Sequence, residues 1–296
     1  MKSLTSIRTL GRTDLEDMIQ QASALRDSLD DGAPVEQALE GICVANLFFE
    51  PSTRTRLSFD LAAQRLGAHV LTFFAEMSSA TKGETLQDTA MTMAAIGADI
   101  LIVRHTEEGA PQAVADWTGL AVINAGDGAG EHPTQALLDA VTLWRHFGRL
   151  EGLQMAIVGD ILHSRVAGSL ISAMPALGVE LTLAGPERWL PAEPSQSTST
   201  DVEGLLEDVD VVYLLRVQQE RGGVVDDDYL SRFRLDEGRA TRLRDTAVVM
   251  HPGPINRGVE VSDAVAESPR SLITEQVRNG VPTRMAVLAS LTVGRK

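Results

Sequence analysis

Short apolar runs of strand length alternate along this chain with stretches whose apolar residues recur at helical spacing. Ile42–Phe49, Val70–Phe74, Ile100–Val103 and Leu120–Ile123 are the first four runs. Met155–Val158, Glu180–Leu183, Asp210–Leu215 and Ala247–Met250 are the later strand candidates. Runs that are apolar throughout suit strands buried on both faces. Helices between them point to parallel sheets covered on both sides, an α/β fold. The helix Leu15–Leu29 places Leu15, Met18, Ile19, Ala22, Leu25 and Leu29 on one stripe, with Thr13 and Glu16 as a capping box. A second helix opens near Ser52–Thr53 and ends at Gly67, and a third carries Leu86, Ala90, Met93 and Ala94 up to Gly97. A short helix is expected around Gln112–Trp117.

The pattern restarts after His132 with Leu137, Leu138, Val141 and Trp144, and the chain closes on Val277, Val281, Met285, Leu288 and Leu291 at helical spacing. Two comparable α/β halves follow, as 296 residues allow. Pro191–Asp201 reads as a surface loop and Gly222–Arg244 as a solvent-facing excursion.

Acidic residues outnumber basic ones 41 to 26, a formal net charge of −15. Such a surface repels nucleic acid and anionic membranes. It repels anionic small molecules too, so a site for them needs a local basic cluster. Cys43 is the only cysteine, so no intramolecular disulfide can form. Met1–Thr5 lacks the apolar segment of a secretory leader, and no apolar run reaches membrane-spanning length. A cytoplasmic location is expected.

The sharpest local feature is Phe49-Glu50-Pro51-Ser52-Thr53-Arg54-Thr55-Arg56, which leaves a strand and opens a helix. Amides at a helix N-terminus lack intrahelical partners and attract oxyanions. Three hydroxyls and the Arg54 fork add donors suited to phosphate. The segment is not a G-x-x-x-x-G-K-[ST] loop, and Gly159-Asp160-Ile161-Leu162-His163-Ser164-Arg165 is not a G-x-G-x-x-G turn.

Ser52-Thr53-Arg54-Thr55-Arg56 resembles the carbamoyl-phosphate signature of the transcarbamoylase family, and His132-Pro133-Thr134-Gln135 resembles its second signature. Arg216-Val217-Gln218 and His251-Pro252-Gly253-Pro254 are similar to the branch that uses aspartate. The motifs follow in the family's order over most of the chain. The resemblance implies two domains, each a mostly parallel sheet flanked by helices. Residues 1–133, completed by a returning C-terminal helix at about 275–296, would bind carbamoyl phosphate, and 134–274 would bind aspartate.

It also implies transfer of a carbamoyl group from carbamoyl phosphate to L-aspartate, giving N-carbamoyl-L-aspartate and phosphate, an early step of pyrimidine biosynthesis. Ser52, Thr53, Arg54, Thr55, Arg104, His132 and Gln135 are then the carbamoyl-phosphate residues. Arg104, Thr55 and His132 polarise the carbonyl, and Gln135 meets the carbamoyl amide. Arg165, Arg216, Gln218 and Lys82 hold aspartate, while Gly253 and Pro254 offer backbone carbonyls. Arg54, Thr55, Lys82, Arg104 and His132 form the catalytic set. Ser78 and Lys82 enter from the neighbouring subunit of a homotrimer, with Thr81 where the family often has a second lysine. The resemblance admits a larger assembly with dihydroorotase or an inactive relative of it. No metal and no organic cofactor is expected. The competing readings are an ornithine-using enzyme, which would need a different second pocket, and an inactive homologue serving assembly.

Overall fold

The computed structural model describes residues 1–74, 83–218, 225 and 227–291. The chain divides into two compact units, one made of Met1–Val141 with Arg278–Lys296 and the other of Thr142–Val277.

In the first unit, β1 (Cys43–Phe48), β2 (His69–Phe74), β3 (Ile100–His105) and β4 (Ala121–Asp127) form one parallel sheet in the order β2-β1-β3-β4. Helices α1 (Arg12–Asp30), α2 (Thr53–Arg65), α3 (Leu86–Ile96), α4 (Ala110–Thr118) and α5 (Pro133–Phe147) connect and cover it. All of β4 and the first five residues of β3 are buried, which is why both read as unbroken apolar runs. The core joins Ala45 and Leu47 of β1, Leu101 and Val103 of β3 and Val122 of β4 to Ala90 of α3 and Val114 of α4. Helix α3 shows how local residues set a helix's limits. In α3 the Thr85 hydroxyl accepts from the Asp88 amide at 3.1 Å and the helix stops at Gly97 with φ 116°.

Two expectations need correction here. Helix α1 starts at Arg12, where the Gly11 amide donates to Asp14 Oδ2 at 2.9 Å. Thr13 and Glu16 therefore form no capping box, and Glu16 instead pairs with Arg12 one turn back at 2.7 Å. Strand β4 runs past Ile123 to Asp127 because its polar residues are satisfied: Asn124 Nδ2 donates to Thr5 O and to Asp127 Oδ1, both at 3.0 Å. The N-terminal segment covers this edge, with the Leu4 amide on Val122 O at 2.8 Å and the Asn124 amide on Leu4 O at 2.9 Å.

In the second unit, β5 (Gln154–Val158), β6 (Glu180–Ala184), β7 (Ser197–Ser199), β8 (Val211–Leu214) and β9 (Val248–Met250) form a parallel sheet in the order β7-β6-β5-β8-β9. Helices α6 (Arg165–Ala176), α7 (Asp227–Phe233), α8 (Glu237–Ala240) and α9 (Asp263–Ala266) belong to this unit, and α10 (Ile273–Ala289) leads back to the first. Within the first unit α10 buries Met285, Ala286, Val287 and Leu288, while Arg26 of α1 donates to Asn279 Oδ1 at 3.0 Å. Val277 does not share the apolar stripe, being 53% exposed. No helix among the described residues is long and apolar enough to cross a membrane.

The two segments expected to be solvent-facing both carry structure. Ser197–Ser199 forms the edge strand β7, whose polar residues suit a strand paired on one side only. In 227–244, Tyr229, Phe233, Leu235 and Leu243 are buried in the core of the second unit with Val212, Leu214 and Val249. The Tyr229 and Phe233 rings stack at 5.6 Å, and Trp189 packs on Tyr229 at 5.2 Å. Burial pushes the Tyr229 phenol well above its ordinary pKa, so it stays neutral. Charged residues at nine of these eighteen positions mask a helix whose inward face is aromatic. Phe233→Ala should cost about 3–5 kcal/mol in chemical denaturation, the range for emptying a buried aromatic site. A change below about 1 kcal/mol would return this segment to the surface.

Candidate active site

Both sheets contain a point where the winding reverses. The chain passes from β1 outward to β2, then crosses to β3 on the other side of β1. In the second sheet it runs from β5 to β6 and β7, then crosses to β8 on the other side of β5. The loops leaving two such neighbouring strands diverge, opening a crevice at the carboxyl ends that favours ligand binding. The expected site residues lie at the ends of those strands: Ser52–Thr55 follow β1 and Arg104 is the last but one residue of β3, while Arg165 follows β5 and Arg216 follows β8.

In the first unit, the Phe49 amide donates to Arg104 O at 2.9 Å, continuing the β1–β3 ladder to the last turn before α2. Ser52 is the N-cap residue in extended conformation, and its side chain makes no capping hydrogen bond. The helix-start amides are thus left unclaimed by their own cap. Thr53 and Arg54 are exposed, whereas Thr55 is buried. The Arg104 guanidinium is also buried, donating to Glu50 Oε1 at 2.6 Å and to Ala125 O at 3.2 Å. Glu50 thereby locks the β1–α2 turn to the end of β3.

His132 emerges from β4 through a loop fixed by buried carboxylates. Asp127 Oδ1 accepts the Glu131 amide at 2.9 Å, and Asp127 Oδ2 accepts the Gly109 amide at 2.8 Å. Glu131 in turn accepts the Ile7 amide at 2.7 Å. The His132 carbonyl receives the amides of Gln135 and Ala136 at 3.0 and 3.3 Å, beginning α5. Gln135 donates through Nε2 to the fully buried Asp139 at 3.0 Å, one helical turn along. The structure therefore gathers Ser52–Thr55, Arg104 and His132 at the carboxyl ends of three adjacent strands. Ser78 and Lys82 lie outside the described residues.

The second unit has its own arrangement. Gly159, just after β5, has φ 125°, and a Cβ there would approach Leu215 O to 3.0 Å. Only glycine lets the chain leaving β5 pass this close to the end of β8. Asp160 follows, fully buried, pairing His163 Nδ1 at 2.7 Å and accepting the Gln218 amide at 3.3 Å. Ser164 caps α6 through the Ala167 amide at 3.2 Å and presents Arg165, itself buried, as the first helical residue. Arg216 and Gln218 are half-buried, with Gln218 Nε2 on Arg216 O at 3.3 Å.

The Arg216–Gln218 segment is tied to the chain after β9 by Glu260. Its carboxylate accepts the Val217 amide at 3.0 Å, the Asn256 amide at 2.9 Å and Asn256 Nδ2 at 2.8 Å. Burial raises the pKa of Glu260, and these hydrogen bonds oppose that shift. His251 Nδ1 accepts the Gly253 amide at 2.8 Å and shapes the turn into the Gly253–Pro254 peptide, which is cis.

Four acidic residues that hold the basic and amide groups were not identified from sequence: Glu50, Asp139, Asp160 and Glu260. Asp139 at four residues from Gln135 was the one with a legible signal. Glu260 lies 43 residues from Val217, and nothing in the local sequence links them.

Phosphate-suited donors at one switch point and an arginine after each strand of the other are features of a two-domain α/β enzyme for small anions. Family models agree on which one: the aspartate/ornithine carbamoyltransferase carbamoyl-P binding domain matches residues 2–145, and the Asp/Orn binding domain matches 151–291. The chain belongs to the aspartate/ornithine carbamoyltransferase family. It is 51% identical over 270 residues to the aspartate carbamoyltransferase catalytic subunit of Salinispora tropica, covering 87% of each chain. With the Thermus thermophilus aspartate carbamoyltransferase catalytic subunit it shares 45% identity over 300 residues, covering 100% of this chain and 99% of the relative.

Among solved structures, Trypanosoma cruzi aspartate transcarbamoylase in complex with N-(phosphonacetyl)-L-aspartic acid superposes with a TM-score of 0.92 at 32% identity, covering 99% of this chain and 96% of that one. Ornithine carbamoyltransferase from Pyrococcus furiosus superposes with a TM-score of 0.89 at 28% identity, covering 100% and 98%. Backbone likeness therefore does not separate the two substrates.

The Glu260 arrangement has a direct consequence. Glu260→Ala leaves the Val217 and Asn256 donors without their acceptor, at about 1–3 kcal/mol for each buried group left unmade. Hydrogen–deuterium exchange should show lost protection in 216–218 and 254–260 together. Unchanged exchange in either segment would show that the carboxylate does not couple them.

Proposed function

We propose that this chain transfers the carbamoyl group of carbamoyl phosphate to L-aspartate, releasing N-carbamoyl-L-aspartate and phosphate in an early step of pyrimidine biosynthesis. The observation that carries the choice of amino acid is the placement of Arg165 and Arg216 after β5 and β8, on either side of the second switch point. Two guanidiniums suit a substrate with two carboxylates. A cationic side chain such as ornithine's would meet charge repulsion there. The catalytic-subunit relatives at 45–51% identity are aspartate carbamoyltransferases, which supports the same choice.

Residues 1–133, completed by the C-terminal helix, are then the carbamoyl-phosphate domain, and 134–274 the aspartate domain. Phosphate sits on the α2 N-terminus with Ser52, Thr53, Arg54 and Thr55. Arg104, Thr55 and His132 donate to the carbonyl oxygen, and Gln135 accepts from the carbamoyl amide. Arg165, Arg216 and Gln218 hold the aspartate carboxylates, and the carbonyls of Gly253 and Pro254 align the amine. The neutral amine attacks the carbonyl carbon, forming the C–N bond. The C–O bond to phosphate then breaks, and the departing phosphate takes the surplus proton from nitrogen. No residue becomes covalently attached. The rate gain comes from orientation and from donors already aimed at the developing oxyanion.

Ser78 and Lys82 complete each site from the neighbouring chain of a cytoplasmic homotrimer. That supplies a cation to the anionic substrates against a net charge of −15. A larger assembly with dihydroorotase or an inactive relative of it belongs to the same reading. No cofactor is required.

The direct test is turnover of carbamoyl phosphate with each amino acid. Aspartate should support it and ornithine should not; the reverse overturns the assignment. Arg54→Ala should fold yet lose carbamoyl-phosphate binding and about 100-fold or more of the rate, as for other lost oxyanion donors. Arg216→Ala should instead raise the KM for aspartate by about 10- to 100-fold, the scale of a lost charge-assisted pair. Its carbamoyl-phosphate affinity should be unchanged. An unaltered aspartate KM in folded Arg216→Ala removes that residue from the pocket.

The shared-site reading predicts complementation. Mixing inactive Lys82→Ala chains with inactive Arg54→Ala chains under subunit exchange should restore partial activity, because some interfaces then carry both wild-type residues. Verified mixed trimers no more active than their parents would exclude a site built across chains.

A further inference from the structure

Helix α10 carries two residues that weaken a helix interior, Gly280 and Pro282. Gly280 has a local reason. A Cβ there would lie 2.8 Å from Arg284 Nη1 and 3.9 Å from Leu138 Cδ2 of α5. Arg284 folds back along its own helix into that slot, and its Nη1 donates to Gly280 O at 3.0 Å. Only 3% of Arg284 is exposed, and its Nε finds no hydrogen-bond partner among the described residues.

Burying a guanidinium costs several kcal/mol unless opposite charge and hydrogen bonds compensate. An apolar side chain of similar volume would fill the slot at less expense. The surroundings of the charge suggest why it is there. Its guanidinium carbon lies 5.0 Å from the centroid of Phe59. Phe59 is buried one turn after Thr55 on the inner face of α2, so the contact bears on the helix whose N-terminus opens the candidate phosphate site. On the side of α5 the nearby opposite charge is Asp139, fully buried and holding Gln135 at 3.0 Å. Burial pulls the Arg284 pKa down to about 9; the charge of Asp139 opposes that shift and the charge of Arg104 adds to it.

We propose that Arg284 is a positioning residue of the carbamoyl-phosphate site. Wedged between α2 and α5, it fixes the Thr55 helix through Phe59 and the Gln135 amide through the charge of Asp139. The returning helix thus contributes a cation behind the site and does more than close the first domain. This inference rests on the reading of that site as the one for carbamoyl phosphate.

The test begins with the wild-type chain, whose binding of carbamoyl phosphate by calorimetry and turnover with aspartate must be established first. Failure of the wild-type chain sinks the functional reading itself and is thereby distinguished from failure of the Arg284 assignment. Arg284→Met keeps length and packing on Phe59 but removes the charge. In the folded variant the Kd for carbamoyl phosphate should rise by about 10-fold or more, equivalent to at least one lost charge-assisted contact. The KM for aspartate at saturating carbamoyl phosphate should hold within about 2-fold, and Arg284→Lys, which keeps the charge over Phe59, should recover most of the affinity. A merely structural arginine would lower the melting temperature and leave that Kd unchanged, which overturns the proposal. Equal losses for both substrates, or no recovery with lysine, overturn it too. Should Arg284→Met fail to fold, the double variant Arg284→Met/Asp139→Asn removes both buried charges together, a change that cores often tolerate. Carbamoyl-phosphate affinity in that double variant is read against Asp139→Asn alone: an equal Kd refutes positioning, and a further rise of about 10-fold supports it.

Discussion

Strand order in a parallel sheet decides where anything can bind. A right-handed crossover carries the chain from one strand to the next along one direction of the sheet, with its helix on one face. Where the direction reverses, the two connecting segments leave in opposite directions and nothing fills the gap between them. Here the reversal falls between β1 and β3 in one sheet and between β5 and β8 in the other. Helices α2 and α6 both begin at those gaps, with their N-terminal amides at the carboxyl ends of the strands. A crevice suited to an anion on each sheet is thus a consequence of winding, before any side chain is chosen. Side chains then decide which anion it is.

The side chains that do so are basic, and the residues that hold them are acidic. Glu50 grips Arg104, Asp139 grips Gln135, and Asp160 and Glu260 accept the Gln218 and Val217 amides that flank or follow Arg216. Each carboxylate is at least partly buried, where an unpaired charge is costly. Its partners are therefore held in one geometry, which is what orientation-dependent catalysis requires. The large acidic excess of this chain is in part a surface property, but these four residues fix the chain at the two gaps.

Legibility in the sequence followed physical range. Strands buried on both faces, such as β3 and β5, were visible because their apolar runs are continuous and short. The α2 entrance was visible because cap, hydroxyls and arginine are adjacent in sequence. The features that escaped notice depended on distance or on disguise. Tyr229 and Phe233 face inward from a segment whose charged residues, such as Arg232 and Asp228, pair with each other on the outside. The Ser197–Ser199 edge strand has no apolar signature, because its membership is fixed by hydrogen bonds to β6. Among 41 acidic residues, neither Glu50 nor Glu260 could be singled out until the fold brought each to its donors. Roles of individual site residues were legible only through the family pattern, since an arginine after a strand has many ordinary uses.

The difference between exposed Arg54 and buried Arg104 bears on how an anion can enter at all. Arg54 meets solvent at the start of α2, so an approaching phosphate can be met there while it is still largely hydrated. Arg104 is buried and already paired with Glu50 at 2.6 Å. If Arg104 donates to the carbonyl oxygen as proposed, it does so with Glu50 already holding one side of the guanidinium. That pairing avoids the largest penalty in such a site, that of leaving a buried guanidinium unpaired in the free enzyme. A fold that places one arginine in water and the next behind a carboxylate separates capture of the anion from its final alignment.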